Sequence, residues 1–452
     1  MIAIVGGGIT GLAAAHELTA RRVPFQLFEA SSRLGGLIQT EHVDGFTIDA
    51  GADSILAQKP AAIELCESLG LGPRLISTNP PRTAFVMKHG RLYPLPSPSV
   101  LGIPTTWRGI ATYELLSPLA RARLALETLI PPRGGGGDES VGAFFRRRFG
   151  GETVDLVAEP LLGGIHAGDV DALSMTSLFP RFVEAEARRG SVLRWLHETR
   201  QPPGEGPFRS LAGGMGELVH ALERRMPEGS IRCDAPVAAI VKDGSRWHVS
   251  AAGATVKARA VILAVPARVA SALLQPIDQR AGALCSEVPY VSTVSVALAW
   301  PQSAVAHPLE GSGFVVARRH NDLRMTACTW VSSKWSGRAP AGAVLLRVFA
   351  GGAHDPGVVD LPDDDIANMA VRDISGVLGT TGAPLVTRVY RWRHGGAQHH
   401  VGQIARVSEI EKLLAQHPGL FVAGSGFRSV GIPDCIADGR AAAVAACTNI
   451  SG

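Results

Sequence analysis

A strand, a glycine turn and a helix are written into the first twenty residues, and they restrict the fold more tightly than anything else in the chain. Residues 1–5 form a short apolar run. Gly6-Gly7-Gly8-Ile9-Thr10-Gly11 follows, then Leu12 to Leu18 at helical spacing. In that context G-x-G-x-x-G describes a phosphate cradle. Gly6 permits the tight turn, Gly8 lets backbone approach a pyrophosphate, and Gly11 lets the helix pack closely on the strand. Free N–H groups at the helix start, aided by the helix dipole, then face the phosphates. A second apolar run, Phe25-Gln26-Leu27-Phe28, ends at Glu29, eighteen residues after Gly11. An acid is expected there to meet ribose hydroxyls.

The 452-residue chain is long enough for two or three domains. It is 46% hydrophobic and 19% charged, the composition of a globular protein. A formal net charge of +4 is too weak to argue for nucleic acid and suits an anionic ligand or an anionic membrane surface equally. The six cysteines form no C-x-x-C pair, so no zinc site, no metal and no disulfide framework is expected, and reduced thiols point to the cytoplasm. No uninterrupted apolar run is long enough to span a membrane. H-E-x-x-H and G-x-S-x-G are both absent, which leaves metallohydrolase and serine hydrolase readings without support. No second strand–G-x-G-x-x-G–helix unit occurs, which disfavours a separate nicotinamide site.

Further along, residues 60–71 carry a helical pattern closed by Gly70 and Gly72. Residues 84–87 and 91–95 read as a hairpin around Lys88-His89-Gly90. Prolines make residues 94–107 an ordered loop. That loop either packs on its own core or, through Leu95, Val100, Leu101, Ile103 and Trp107, touches a membrane or covers a substrate mouth. Residues 109–130 read as a helix. Residues 138–150 read as a short helix capped by Asp138 or Ser140. Its Arg146-Arg147-Arg148 is either a solvated helix end or an anion site. Residues 231–240, 247–250 and 260–266 read as strands, the last with the apolar run of a buried parallel sheet. Strand-like segments fill residues 288–349, and residues 363–378 form a helix. Residues 420–424 form a last strand before a small-residue helix over 437–446. His166, His399 and His400 are either proton shuttles or satisfied polar residues.

Three motif groups carry a resemblance. Glu29-Ala30-Ser31-Ser32-Arg33-Leu34-Gly35-Gly36 is similar to the second flavin-contacting motif of the FAD-dependent amine oxidase superfamily. Asp138-Glu139-Ser140-Val141-Gly142 with Phe144 and Arg146-Arg147-Arg148, followed by Glu159-Pro160-Leu161-Leu162-Gly163-Gly164-Ile165-His166-Ala167-Gly168-Asp169, resembles the oxygen-dependent protoporphyrinogen and coproporphyrinogen oxidases of haem synthesis. Ser425-Gly426-Phe427-Arg428-Ser429-Val430-Gly431-Ile432-Pro433-Asp434-Cys435-Ile436 resembles the superfamily's C-terminal flavin motif, in a form closer to the coproporphyrinogen branch.

The resemblance implies a mixed α/β fold. A Rossmann-like FAD-binding domain is discontinuous in sequence (1–75, 209–275 and 406–452). A helical substrate-binding insertion covers 76–208, and a substrate domain of antiparallel sheet plus helices covers 276–405. It implies FAD held by Gly6, Gly8, Gly11, Glu29, Arg33, Gly35, Gly36, Val237 (through its backbone, at the adenine), Gly424, Gly431 and Ile432. It implies substrate near Gly164 and a basic anchor beside the first hairpin. There Ala84 departs from the family pattern, so Arg82 is the candidate, with Lys88 and Arg91 further along. The implied chemistry is hydride loss from a bridging methylene of a porphyrinogen to flavin. Three rounds give the porphyrin, and O2 accepts the electrons to give H2O2. No catalytic acid or base is assigned. Contact with the next haem-pathway enzyme, peripheral membrane contact, and a monomer or homodimer are compatible with the reading. The alternatives are a flavin amine oxidase, for which four tyrosines offer little aromatic cage, a carotene desaturase, or a flavin- and porphyrin-binding protein without turnover.

Overall fold

The computed structural model of the chain describes residues 1–199, 206–429 and 431–451. Three separated stretches build one five-stranded parallel sheet, in the order Ile231–Arg232, Phe25–Phe28, Ile2–Val5, Ala260–Leu263, Leu420–Val422. Every residue of Ile2–Val5, Phe25–Phe28 and Ala260–Leu263 is buried. Alternate side chains point to opposite faces, and both faces are covered. Ile2, Ile4, Leu27 and Ile262 join a core with the helices Ile9–Ala20, Gly216–Glu223 and Ile432–Ser451. Ala3, Val5, Phe28, Val261 and Leu263 join another with Trp247, Val249 and Leu273. The run expected over 231–240 is split: Asp234 takes φ +50° and Pro236 interrupts the chain before Val237–Asp243.

The second sheet has seven strands, in the order Val386–Ala397, Tyr290–Pro301, Ala343–Gly351, Met325–Trp330, Gly313–Val316, Ala84–Lys88, Arg91–Pro94. It is antiparallel except where Gly313–Val316 runs parallel to Ala84–Lys88. The hairpin thus belongs to the same sheet as strands more than two hundred residues later. Its parallel junction requires the long crossover that the intervening chain supplies. Helix Asp363–Leu378, where the spacing predicts one, lays Ile366, Met369, Ala370, Ile374 and Leu378 on this sheet.

The helical insertion packs around Phe144, Phe145, Phe149 and Phe182. The single helix expected over 109–130 is broken. Trp107–Ala111 ends before Pro118–Ala125 begins, with Ser117 accepting from the Ala120 N–H and Pro118 at the first turn. A proline lacks the N–H that would continue the earlier helix but suits the start of a new one. Leu126–Leu129 then tightens into a 3₁₀ turn. Ser140, and not Asp138, caps Val141–Phe149; Asp138 accepts from Ser174 Oγ and the Gly402 N–H instead. Val154–Gly163 winds as a π-helix with Pro160 inside it, a form that recurs where helices carry function. Helix Ile432–Ser451 starts five residues earlier than expected, directly after Gly431. Among the described residues no helix is long and apolar enough to cross a membrane.

Candidate active site

The glycine turn is shaped by close contacts that only hydrogen permits. Gly6 has φ +106°, and a Cβ there would sit 2.4 Å from the Ala264 carbonyl oxygen. A Cβ on Gly11 would lie 1.9 Å from the Gly6 carbonyl oxygen, so strand, turn and helix touch through bare backbone. Gly8 is the opposite case: nothing lies within 4 Å of where its Cβ would be. That open face borders the start of Ile9–Ala20, whose cap Gly8 offers no side-chain acceptor. The first N–H groups of the helix are therefore free to meet an anion.

The second motif folds onto the first. The Gly35 N–H donates to the Gly7 carbonyl at 2.9 Å, and Gly8 bridges Gly35. Gly36 has φ +57°, and a Cβ there would lie 3.3 Å from the Gly8 Cα. Glu29 closes the turn by accepting from the Gly7 N–H at 2.7 Å and from Ser31. Arg33 donates to the carbonyls of Gly36 at 2.7 Å, Leu34 and Ile38, so it orders the loop that carries the two glycines. Beside Glu29, Ala235 and Asp234 donate backbone N–H groups to Glu29 and Ser31. Val237, the next residue but one, is therefore held at the acid's end of the cradle.

The C-terminal motif arrives at the other end. Gly424 has φ +112°, its N–H donates to Asp438 Oδ2 at 2.7 Å, and a Cβ there would approach Thr10 Oγ1 at 3.2 Å. A Cβ on Gly439 would lie 2.1 Å from the Thr10 carbonyl oxygen, so Ile9–Ala20 and Ile432–Ser451 cross in direct contact. Gly431, φ +92°, stands in open space, and Ile432 behind it is buried. Lys59 pairs with Asp434 at 2.6 Å in the first turn of that helix.

A third stretch, residues 49–53, lies against the same loop: the Ala52 N–H donates to the Leu37 carbonyl. Three successive carbonyls here are taken by side chains from the distant sheet. Arg347 donates to those of Asp49 and Gly51, and Ser295 (2.7 Å) and Trp392 (3.2 Å) donate to that of Ala50. Arg347 and Lys334 also pair with Asp53 at 3.3 and 3.2 Å. Burial opposes the Asp53 charge, yet Lys334 and Arg347 overcome it and hold the carboxyl well below its usual range. Asp49 goes the other way: burial pushes it up, against the pull of Arg338 at 3.1 Å.

On the substrate side, Gly164 is exposed, with no atom within 4 Å of a Cβ position, at the end of the π-helix. Arg82 is exposed on the approach to Ala84–Lys88 and donates to the Thr78 carbonyl and hydroxyl. Lys88 reaches the Leu115 carbonyl, while Arg91 lies over the Tyr93 ring and near Glu114. The arginine triplet is not the anion site that its sequence allows, nor is it a solvated end. Arg148 and Glu127 are both 0% exposed and paired with each other, and Arg147 is held by Glu139 and Glu186. Only Arg146 is exposed, beside Asp171. Burial lowers the pKa of His166 to about 4 and depresses those of His399 and His400, so all three rings are neutral at neutral pH. His399 was open in the sequence between a proton shuttle and a satisfied polar residue, and the structure makes it the latter; Arg347 and the buried Gln398 and Gln403 did not stand out. Their only signal was polar residue types inside an otherwise apolar or small-residue stretch.

An uncapped helix start, an open glycine face and an acid fixed beside it fit a dinucleotide, and the comparisons give the class. A profile of the family described as flavin containing amine oxidoreductase matches residues 9–447, and the chain belongs to that family. The chain is 37% identical to the coproporphyrinogen III oxidase of Bacillus subtilis (strain 168), over 98% of this chain and 96% of that one. It is 34% identical to the coproporphyrinogen III oxidase of Staphylococcus aureus (strain NCTC 8325 / PS 47), over 98% of both. A crystal structure from Exiguobacterium sp. 255-15 superimposes with TM-score 0.88 at 32% identity, covering 100% of this chain and 99% of that one.

Proposed function

We propose that this flavoenzyme binds FAD and oxidises coproporphyrinogen III to coproporphyrin III, with O2 as acceptor and H2O2 as product. The observation that carries the reading is the extent of the likeness to the two named oxidases. It spans the helical insertion as well as the cofactor domain. Gly6, Gly8 and Gly11 would admit the pyrophosphate at the start of Ile9–Ala20, with Arg33, Gly35 and Gly36 forming the opposite wall. Glu29 would meet the ribose, Val237 the adenine through its backbone, and Gly424, Gly431 and Ile432 the ring end. Bound there, flavin supplies the capacity to take an electron pair from a C–H bond and pass it to oxygen.

The chain's own contribution is placement. Substrate would lie between the cradle and the insertion, near Gly164, with Arg82 offering a planar partner for a propionate. No residue is assigned as the base, and His166, His399 and His400 stay neutral. Coproporphyrinogen carries two more propionates than protoporphyrinogen, which suits a chain of net charge +4. The test is a paired aerobic assay on flavin-loaded protein, following porphyrin fluorescence and peroxide. Fast fluorescence with coproporphyrinogen and little with protoporphyrinogen is expected. The reverse order would move the assignment to protoporphyrinogen, and silence from both would end the porphyrinogen reading.

A further inference from the structure

Gln398-His399-His400-Val401-Gly402-Gln403 is polar enough to belong on a surface, yet Gln398, His399 and Gln403 are each no more than 2% exposed. Buried polar side chains need partners, and here the partners lie in two places at once. On one side is the irregular loop 424–429, whose backbone has no ladder to satisfy it. His399 Nε2 lies 2.9 Å from the Ser425 carbonyl oxygen, and Gln403 Nε2 lies 3.2 and 3.1 Å from those of Gly426 and Phe427. Three consecutive carbonyls are thus drawn towards one turn.

On the other side is the insertion. Gln398 Nε2 donates to the His166 carbonyl at 2.9 Å, the Ser174 N–H donates to the His399 carbonyl at 2.8 Å, and the Val401 N–H donates to that of Ala172. His399 spans the gap with its ring. A carbonyl only accepts, so Nε2 carries the hydrogen, and Nδ1, 2.9 Å from Ser177 Oγ, accepts from that hydroxyl. One neutral tautomer satisfies both ends.

We propose that His399 is a positioning residue: its ring fixes the Ser425 carbonyl, and with it the course of the loop into Ile432–Ser451, against the insertion that faces the substrate. The proposal rests on the reading of that loop as the flavin's ring end. Through it, the groove for the ring and the substrate-side helices keep one spacing.

Two variants of the full-length protein separate this role from simple core filling. His399→Leu removes both bonds, whereas His399→Gln retains one donor and one acceptor of similar reach. Flavin affinity, the visible spectrum and reduction potential of bound flavin, and the melting temperature of the flavin-free chain are read alongside turnover. His399→Leu should weaken flavin binding and lower kcat about tenfold each, the scale of a buried hydrogen bond left unmade. It should also shift the flavin spectrum and potential, while KM changes little. His399→Gln should restore each reading to within about twofold of the parent.

A leucine variant with the parent's flavin spectrum and affinity overturns the proposal. So does an equal loss in both variants. If the leucine variant does not fold, Ser177→Ala, which frees only Nδ1, must shift the flavin spectrum in a folded protein, and an unchanged spectrum overturns the proposal. A parent chain that takes up no flavin refutes the functional reading itself, and this inference with it. Loss of porphyrinogen turnover with flavin readings intact refutes only the substrate.

Discussion

The phosphate cradle and the two loops beside it do related work by opposite means. In the cradle, Gly6, Gly7, Gly8, Gly11, Glu29, Gly35 and Gly36 bond or pack against one another within the first thirty-six residues. The stretch 49–53 is held instead by side chains far away in sequence, and 424–429 by His399 and Gln403, side chains of a separate turn 23 to 26 positions earlier. Ser295 reaches Ala50 across 245 positions, and Arg347 reaches Gly51 across 296. The first region is a local backbone shape. The other two are irregular backbone whose carbonyls the rest of the protein must satisfy. A cofactor site built this way has one half encoded by spacing and one half assembled only when both sheets are in place.

Two glycines of the cradle offer the widest separation of effects. Gly11→Ala puts a Cβ 1.9 Å from backbone oxygen. It should cost on the order of 3 kcal/mol or prevent folding, measured by denaturant midpoint. In Gly8→Val the added Cβ meets no atom within 4 Å. It should leave the melting temperature of the flavin-free chain near that of the parent while weakening flavin binding at least about a hundredfold, because it fills the face that backbone must present to a pyrophosphate. If Gly8→Val keeps its flavin, the cradle is misassigned.

The braced loops should fail differently. Arg347→Met leaves Asp53 buried with Lys334 alone and frees the carbonyls of Asp49 and Gly51. A loss of about 3 kcal/mol is expected by chemical denaturation. Flavin binding should weaken in the same variant, since loop and cradle share the Leu37 contact. A variant that loses stability but binds flavin as before would show that the brace serves the sheet alone.

The smallest effect is in pH. Burial holds His166 near 4, against an ordinary 6.5. The unfolded chain therefore binds a proton between those values and the folded chain does not, so stability rises with pH through that window. The contribution is complete above pH 6.5 and disappears as pH falls towards 4. Melting temperature against pH should flatten over that range in His166→Asn. An unaltered slope would assign the dependence to other groups.

What the sequence disclosed follows the same division. Strand–glycine–helix, the acid at 29 and the helix over 363–378 are legible because spacing alone decides them. The arginine triplet misled, because a run of charges shows nothing of the carboxylates that come to meet it: Glu127 approaches Arg148, and Glu186 approaches Arg147, from other helices. The break before Pro118 was written in the chain but outweighed by the apolar pattern around it. The parallel junction between Gly313–Val316 and Ala84–Lys88, and the donor Arg347, depend on contacts across hundreds of residues, and His399 and Gln403 meet a separate loop 23 to 26 positions on, none of which a local pattern records.

The most direct test of the central claim omits oxygen. Flavin-loaded protein is mixed anaerobically with less than one third of an equivalent of coproporphyrinogen III, and flavin absorbance is followed with porphyrin fluorescence. The account predicts rapid bleaching as porphyrin appears, approaching three flavins reduced for each porphyrin formed. Flavin that stays oxidised while coproporphyrinogen is bound would contradict it, and would leave a binding protein in the fold of an oxidase.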